Sequence, residues 1–174
     1  MHKPKVIVIC GPTASGKTAL SIELAKKING EIISADSMQI YKDMDIGTAK
    51  PSEEEKQGIR HYLMDMVSPE ERYSVAQYKQ DAKEAIKEIL KKGKIPIIVG
   101  GTGLYIDSLI YEIEYNDVKI DENYRNELEE ICEEKGLQEL YKRALEIDPL
   151  AMEKISPNDK KRIIRVLEIY QATG

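Results

Sequence analysis

Val6-Ile-Val-Ile-Cys10 runs straight into Gly11-Pro-Thr-Ala-Ser-Gly16-Lys17-Thr18. A continuous apolar, β-branched run has no polar face, the pattern of a strand covered on both sides in a parallel sheet. The next residues satisfy G-x-x-x-x-G-K-[ST]. Apolar residues then return at helical spacing through Leu20, Leu24 and Ile28, closed by Asn29-Gly30. Strand, glycine-rich loop and helix in that order are the context that gives the motif its chemistry. Backbone N–H groups around Gly16 and at the start of the helix form a concave anion site, reinforced by the helix dipole. Gly11, Pro12, Thr13, Ala14, Ser15, Gly16, Lys17 and Thr18 are therefore expected to cradle a diphosphate or triphosphate, as this nucleotide- and ATP-binding motif does elsewhere. Lys17 supplies a positive charge for the terminal phosphate oxygens, and the Thr18 hydroxyl is placed to ligate Mg²⁺.

Outward from this junction the chain alternates strand and helix. Glu31–Ala35 reads as a short strand, and Ser74-Val-Ala-Gln77 is a capping box that opens a helix to Lys92, stopped by Gly93. Ile95–Val99 is a further buried strand, and His61–Asp65 a weaker one. Residues 36–60, with Gly47, Pro51 and Gly58, read as a long functional loop with room for one helical turn. The alternation predicts an α/β fold, a parallel sheet with helices on both faces resembling P-loop NTPases. From about Glu112 the buried-strand runs stop. Helices are expected over 124–135, 137–147 and 158–173. The organisation read from this is a P-loop core over 1–114 followed by an all-helical insertion over 115–174.

Two positions at strand ends carry candidate chemistry. Asp36 follows Ile32-Ile33-Ser34-Ala35, and in an open parallel sheet ligands lie beyond the carboxyl ends of the strands, where the phosphate loop also sits. From a neighbouring strand Asp36 can take a proton from a nucleophile while the loop holds the electrophile. The competing reading is a turn aspartate that bonds its own backbone. Thr102, in Gly100-Gly101-Thr102-Gly103, is placed to contact either substrate or to form a plain strand-to-helix turn. An NTPase also needs a carboxylate after an apolar strand to hold its metal. Ile95–Val99 offers none, and Asp65 is the one alternative.

With 41% apolar and 33% charged residues the 174-residue chain can bury a core and is not a disordered segment. No apolar run approaches a bilayer's thickness, the five apolar residues at 6–10 are too few for a signal peptide, and Cys10 and Cys132 offer neither a disulfide framework nor metal-ligand spacing. A soluble, reducing, cytoplasmic setting is expected, with no membrane partner and a monomeric state. The net charge of −5 argues against nucleic-acid binding by global electrostatics. However, residues 112–148 hold thirteen acidic and five basic residues, a local net of −8, so the remainder carries +3. Within that remainder Lys160, Lys161, Arg162 and Arg165 cluster, with Ile163, Ile164 and Leu167 on the opposite side. Such a run is either a solvated helix face or a nucleic-acid contact. Ten tyrosines stand against no Phe or Trp, so Tyr41 and Tyr105 are candidates for an aromatic lining, or else for the core.

GPTASGKT at 11–18, SADSMQIYKDMDIGTAKP at 34–51, VGGTGLY at 99–105 and PNDKKRIIRVLE at 157–168 together resemble the bacterial tRNA dimethylallyltransferase family, in order and over nearly the whole chain. The resemblance implies a prenyl transferase that moves a dimethylallyl group from dimethylallyl diphosphate to N6 of adenosine 37, in the anticodon stem-loop of tRNAs reading codons that start with U. It implies that Thr13–Thr18 hold the diphosphate with Thr18 on Mg²⁺. Asp36 would take the N6 proton, and Asp36, Ser37, Met38 and Gln39 would line the pocket of the extruded base. Thr102, Arg125 and Lys161, Arg162, Ile163, Ile164 and Arg165 would touch the tRNA. Family members continue well beyond Gly174, so the chain is expected to be a truncated form with little activity alone, lacking an Arg that assists diphosphate departure. The alternatives are a P-loop small-molecule kinase, an isopentenyltransferase acting on free adenine nucleotides, and a non-catalytic nucleotide-binding module.

Overall fold

The structure is a computed structural model that describes residues 5–111, 113 and 121–174. The chain divides into two compact units, Met1–Tyr115 and Asn116–Gly174. The boundary expected at 114/115 lies outside the described residues.

In the first unit four parallel strands, β1 (Ile7–Cys10), β2 (Gly30–Ser34), β3 (His61–Tyr62) and β4 (Ile95–Gly100), form one sheet in the order β1-β4-β2-β3. Why the strands read as unbroken apolar runs is visible in the two cores. Ile32, Ile97 and Val99 point to one face, where they pack with Ile22 and Ala25 of α1 (Lys17–Ile28). Ile33 and Ile98 point to the other, where they meet Tyr78, Ala82, Ala85 and Ile89 of α3 (Val75–Lys91) and Tyr105 and Ile106 of α4 (Gly103–Ile110). Because side chains alternate between faces and both faces are covered, the central positions of β2 and β4 are apolar on both sides.

β1 departs from the expectation of full burial on both faces. Among the described residues it pairs with β4 alone, its residues are only partly covered, and Cys10 is exposed. Val6 and Val8 still pack on the α3 side and Ile7 and Ile9 on the α1 side, so its apolar run reflects two covered faces on an edge strand. Asp36 is likewise one strand further from the phosphate loop than expected, since β4 lies between β1 and β2.

The expected helices form, with small differences at their ends. Ser74 caps α3 through a reciprocal box with Gln77, as the sequence pattern requires. A second box, Ser52 with Glu55, fixes a single turn, α2 (Glu53–Lys56), inside the long loop. Two helices lie outside the ranges expected from the sequence. The first is α4, whose eight residues follow the glycine cluster that reads as a strand-to-helix turn. The second is α7 (Pro149–Met152), where Pro149 sits at the first helical position and Asp148 caps it.

The second unit is built from α5 (Glu122–Lys135), α6 (Leu137–Ile147), α7 and α8 (Lys160–Thr173), around Leu128, Leu140, Ala144, Met152, Ile163, Ile164 and Leu167. Gly136 separates α5 from α6, and Asp159 caps α8 by accepting from the Arg162 N–H at 3.1 Å.

At the opposite end of the sheet from the phosphate loop lies a charged network. Glu31 of β2 is buried and accepts from Lys94 Nζ at 2.7 Å and from the Tyr62 hydroxyl at 2.9 Å, with Lys92 Nζ at 3.4 Å. Burial alone would raise its pKa, but the bonds from Lys94, Tyr62 and Lys92 outweigh it and hold the carboxyl below its ordinary value. A carboxyl with a depressed folded-state pKa stabilises the fold above its unfolded pKa, and loses that contribution as pH falls through the folded value. Glu31→Gln should therefore cost about 2 kcal/mol near neutral pH. In urea denaturation the gap to the wild type should close as pH falls below about 4, whereas a gap independent of pH would contradict this assignment.

Candidate active site

The phosphate loop bends because two of its residues adopt left-handed backbone, Ala14 (φ 62°) and Gly16 (φ 79°). Gly16 is the residue before α1, so its conformation turns the loop into the helix and leaves the first helical N–H groups pointing into it. Lys17 folds back over the loop and donates to the Pro12 carbonyl and, at 3.4 Å, to Ser15 Oγ. Its ammonium is thus held above the loop by neutral acceptors that an anion can replace.

Asp36 stands one residue past Ala35, at the end of β2. Its Oδ1 accepts from the backbone N–H of Met38 at 2.9 Å and of Gln39 at 3.4 Å. The two sequence readings of this residue therefore describe different oxygens. Oδ1 closes the turn, which fixes the carboxylate's direction, and Oδ2 accepts no bond among the described residues.

Position is set by the strand between. Gly100, at the end of β4, lies so close to β2 that a built Cβ would meet the Ala35 carbonyl oxygen at 2.1 Å. The approach is stitched by Ala35 N–H to Val99 O at 2.7 Å and by Thr102 N–H to Ala35 O at 3.1 Å. Thr102 then accepts from the Ser37 N–H at 3.0 Å and donates to Ser37 Oγ at 3.3 Å, anchoring the turn that carries Asp36.

These features border one cavity of about 410 Å³. Thr13–Thr18 line it on one side and Asp36 and Gln39 on another, with Gly100 between. Gly11, Pro12, Ser37, Met38 and Thr102 do not line it: Ser37 and Thr102 brace its wall, and Met38 is exposed. Gln39 is buried, with Oε1 accepting from Ser34 Oγ at 3.1 Å and Nε2 donating to the Thr48 and Ala49 carbonyls at 3.1 and 3.2 Å. It ties β2 to a loop in which Ala49 itself has left-handed backbone (φ 50°).

Several lining residues escaped the sequence reading. Thr48, Ala49, His61 and Met64 all border the cavity, and Ile22, Ile32 and Val99 give it an apolar side. The His61 Nδ1–H donates to the Ile59 carbonyl at 2.8 Å, and burial pushes the ring's pKa down, so the imidazole is neutral at physiological pH. Behind this wall Lys50, almost fully buried, bridges Asp45 at 2.8 Å and Asp65 at 2.6 Å and donates to the Tyr41 carbonyl. Burial lowers its pKa, but the two aspartates more than reverse that and keep it charged. Asp65, the one carboxylate considered for a metal after a strand, is thereby committed to Lys50.

Tyr105 is a core residue, stacked on Tyr78 with centroids 3.9 Å apart. Burial first, then Tyr41 and Asp36, push its hydroxyl up to about 12. In the helical unit Lys161 and Arg162 are exposed, and Arg125 and Arg165 are partly so, engaged with Glu168. Ile163 and Ile164, grouped with them in the sequence reading, are fully buried in the helical core, so their side chains have no surface to offer an RNA.

Residues 39–174 match the IPP transferase family. The chain is 61% identical over 168 residues to the tRNA dimethylallyltransferase of Acetivibrio thermocellus, covering 97% of this chain and 54% of that protein. It is 52% identical over 173 residues to that of Bacillus cytotoxicus, covering 99% and 55%. It thus spans about half the length of the curated relatives it matches. Among solved structures it is similar to a full-length tRNA isopentenylpyrophosphate transferase from Bacillus halodurans (TM-score 0.65, 48% identity, 99% of this chain and 57% of that one). It is also similar to a eukaryotic dimethylallyltransferase acting on tRNA (TM-score 0.78, 38% identity, 97% and 42%).

Because the β4–β2 approach leaves no room for a Cβ, Gly100→Ala should destabilise the first unit by on the order of 1–3 kcal/mol. The measurement is a urea midpoint, and a variant as stable as the wild type would show that the two strand ends part easily.

Proposed function

The chain belongs to the IPP transferase family, and from that premise we propose that it binds dimethylallyl diphosphate and tRNA for transfer of the dimethylallyl group to N6 of adenosine 37, in tRNAs reading codons that start with U. The supporting observation is that a phosphate loop and the Asp36 carboxylate border one cavity, with an apolar side between α1 and the sheet. β1 and β2 stand two inter-strand spacings apart, about 10 Å, which leaves space for a five-carbon unit between a diphosphate and a base.

In this reading the backbone N–H groups of Thr13–Thr18 take the diphosphate, and Lys17 exchanges Pro12 and Ser15 for phosphate oxygens. The allylic C–O bond breaks, and its electron pair leaves with the diphosphate, whose growing charge the loop stabilises. The exocyclic N6 forms the new C–N bond and gives up a proton, which Asp36 Oδ2 accepts while Oδ1 stays locked by Met38 and Gln39. The apolar side formed by Ile22, Ile32 and Val99 keeps water from the reacting carbon. Gln39, Thr48, Ala49, His61 and Met64 would form the wall around the extruded base.

The residues present fit Mg²⁺ of one kind only. Among the described residues no group of three or more His, Cys, Asp or Glu could hold a metal. Thr18 offers a hydroxyl at the loop, which suits an ion held mainly by phosphate oxygens and water. Bound there, the ion would neutralise diphosphate charge. Lys161, Arg162, Arg165 and Arg125 would meet the RNA backbone of the anticodon stem-loop. The same reading places the protein in the cytoplasm, and among the described residues no helix is long and apolar enough to cross a membrane.

Isothermal titration with Mg²⁺ present should show binding of dimethylallyl diphosphate in preference to ATP. A clear preference for ATP would replace this reading with that of a small-molecule kinase, and prenylation of AMP but not of tRNA with that of a free-nucleotide enzyme. In a full-length version of the protein Asp36→Asn should lower the transfer rate by about 100-fold or more while leaving diphosphate affinity unchanged. A parallel loss of both would assign Asp36 to binding.

A further inference from the structure

Glu168, on α8, carries a charge in the core of the helical unit, with its side chain 3% exposed. Arg165, just under one turn earlier on the same helix, donates from its NH1 group to Oε2 at 3.3 Å. Arg125, from α5, brings its NH1 group to 3.5 Å from Oε1 and also pairs with Glu129 at 3.7 Å. The Arg125 approach is a charge contact without hydrogen-bond alignment, since Oε1 is buried and accepts no hydrogen bond.

A buried carboxylate left partly unsatisfied is a poor way to stabilise a helical bundle, because the cost of taking it out of water is repaid only by full pairing. Its geometric effect is clearer. One carboxylate holds two guanidinium groups from different helices side by side, and both remain partly exposed, at 23% and 39% of the side chain. Each guanidinium has five N–H donors, and the contacts to Glu168 and Glu129 engage a minority of them. With Glu129 on Arg125 the two arginines and two glutamates sum to zero, so what the cluster offers an anion is donor geometry and not surplus charge. A guanidinium's forked donors suit the oxygens of a phosphate, and each of the two arginines keeps donors that these contacts leave unused.

We propose that Glu168 is a positioning residue that presets Arg125 and Arg165 to grip one phosphate of an RNA backbone. The inference rests on the reading of the chain as a tRNA-binding protein. It goes beyond that reading by giving an RNA-binding task to a carboxylate, a group whose charge alone repels RNA.

That opposition of sign makes the test decisive. Glu168→Gln keeps size and adds one unit of net positive charge, so a Glu168 that merely neutralised its surroundings would be replaced with a gain in RNA affinity. A positioning Glu168 gives a loss. The affinity of this chain for a tRNA anticodon stem-loop is read by fluorescence anisotropy across about 50–200 mM salt, with folding of each variant checked by circular dichroism. The expected result for Glu168→Gln is binding about tenfold weaker and a salt slope lower by about one. Glu168→Gln added to Arg125→Gln and Arg165→Gln together should bind no more weakly than those two substitutions alone, because the carboxylate acts through both arginines. Should Glu168→Gln fail to fold, Arg165→Lys provides the reading, since it keeps the charge and loses the fork; the expected result is again weaker binding. Unchanged or tighter binding by Glu168→Gln, or wild-type binding by Arg165→Lys, overturns the proposal and leaves tRNA binding standing. A wild-type chain that does not bind the stem-loop at low salt overturns both.

Discussion

The backbone of β4 passes β2 at Gly100 and Ala35 with no space for a single methyl group, and the site's geometry depends on that approach. Two hydrogen bonds hold it, Ala35 N–H to Val99 O and Thr102 N–H to Ala35 O. Beyond it the chain must turn, and Thr102 meets Ser37 in doing so. The turn after β2 is thereby fixed from outside, while Asp36 fixes it from within through Oδ1. A side chain at Gly100 would force the strands apart.

The sheet can hold this geometry because it is pinned on both faces. α1 packs on one side through Ile22 and Ala25, and α3 and α4 on the other through Tyr78, Ile89 and Ile106. The helix that begins at the phosphate loop is therefore also the helix that seals one core. Anion binding and packing use opposite ends of one element: Gly16 starts it with open N–H groups, and Ile22 and Ala25 bury its middle. The loop at 41–51 is held differently, by polar ties. Gln39, buried, reaches two of its carbonyls, and Lys50 anchors it to Asp65.

What could be read from the sequence divides along the same line. β1, α1, β2, α3 and β4 announce themselves because burial on two faces, or on one helical stripe, imposes a period on the residues. The phosphate loop is legible because its glycines and lysine are contiguous. The wall of the cavity is not. Thr48, His61 and Met64 meet Asp36 only through tertiary folding, and neither a shared period nor a fixed spacing links them. Lys50 pairs with Asp45 and Asp65 across five and fifteen residues of irregular chain, where no repeat betrays the contact. α4 was hidden by the glycines before it, which permit a turn but do not forbid a helix. Ile163 and Ile164 show the opposite fault, since a motif matched as a continuous stretch also takes in residues whose side chains face the core.

Lys50 in the first unit and Glu168 in the second are each a buried ion between two partners of opposite charge. In the first, Lys50 lies between Asp45 and Asp65, with the aspartates outside and a net charge of −1. In the second, Glu168 lies between Arg125 and Arg165, with the arginines outside and Glu129 on Arg125 bringing the cluster to neutrality. In both, the buried ion restricts the outer pair, since moving either would leave an unpaired charge in low dielectric. The difference lies in what the outer pair can then do. Aspartates locked on a lysine present a surplus of negative charge, which repels a polyanion and suits a purely mechanical brace for the loop. Arginines locked on a glutamate keep forked donors unused, which suits an anion that arrives later. The sign of the outer pair alone does not decide, since buried Glu31 in the first unit is also held by two cations, Lys92 and Lys94, at the end of the sheet; what sets the arginine pair apart is the unused donors of the guanidinium fork.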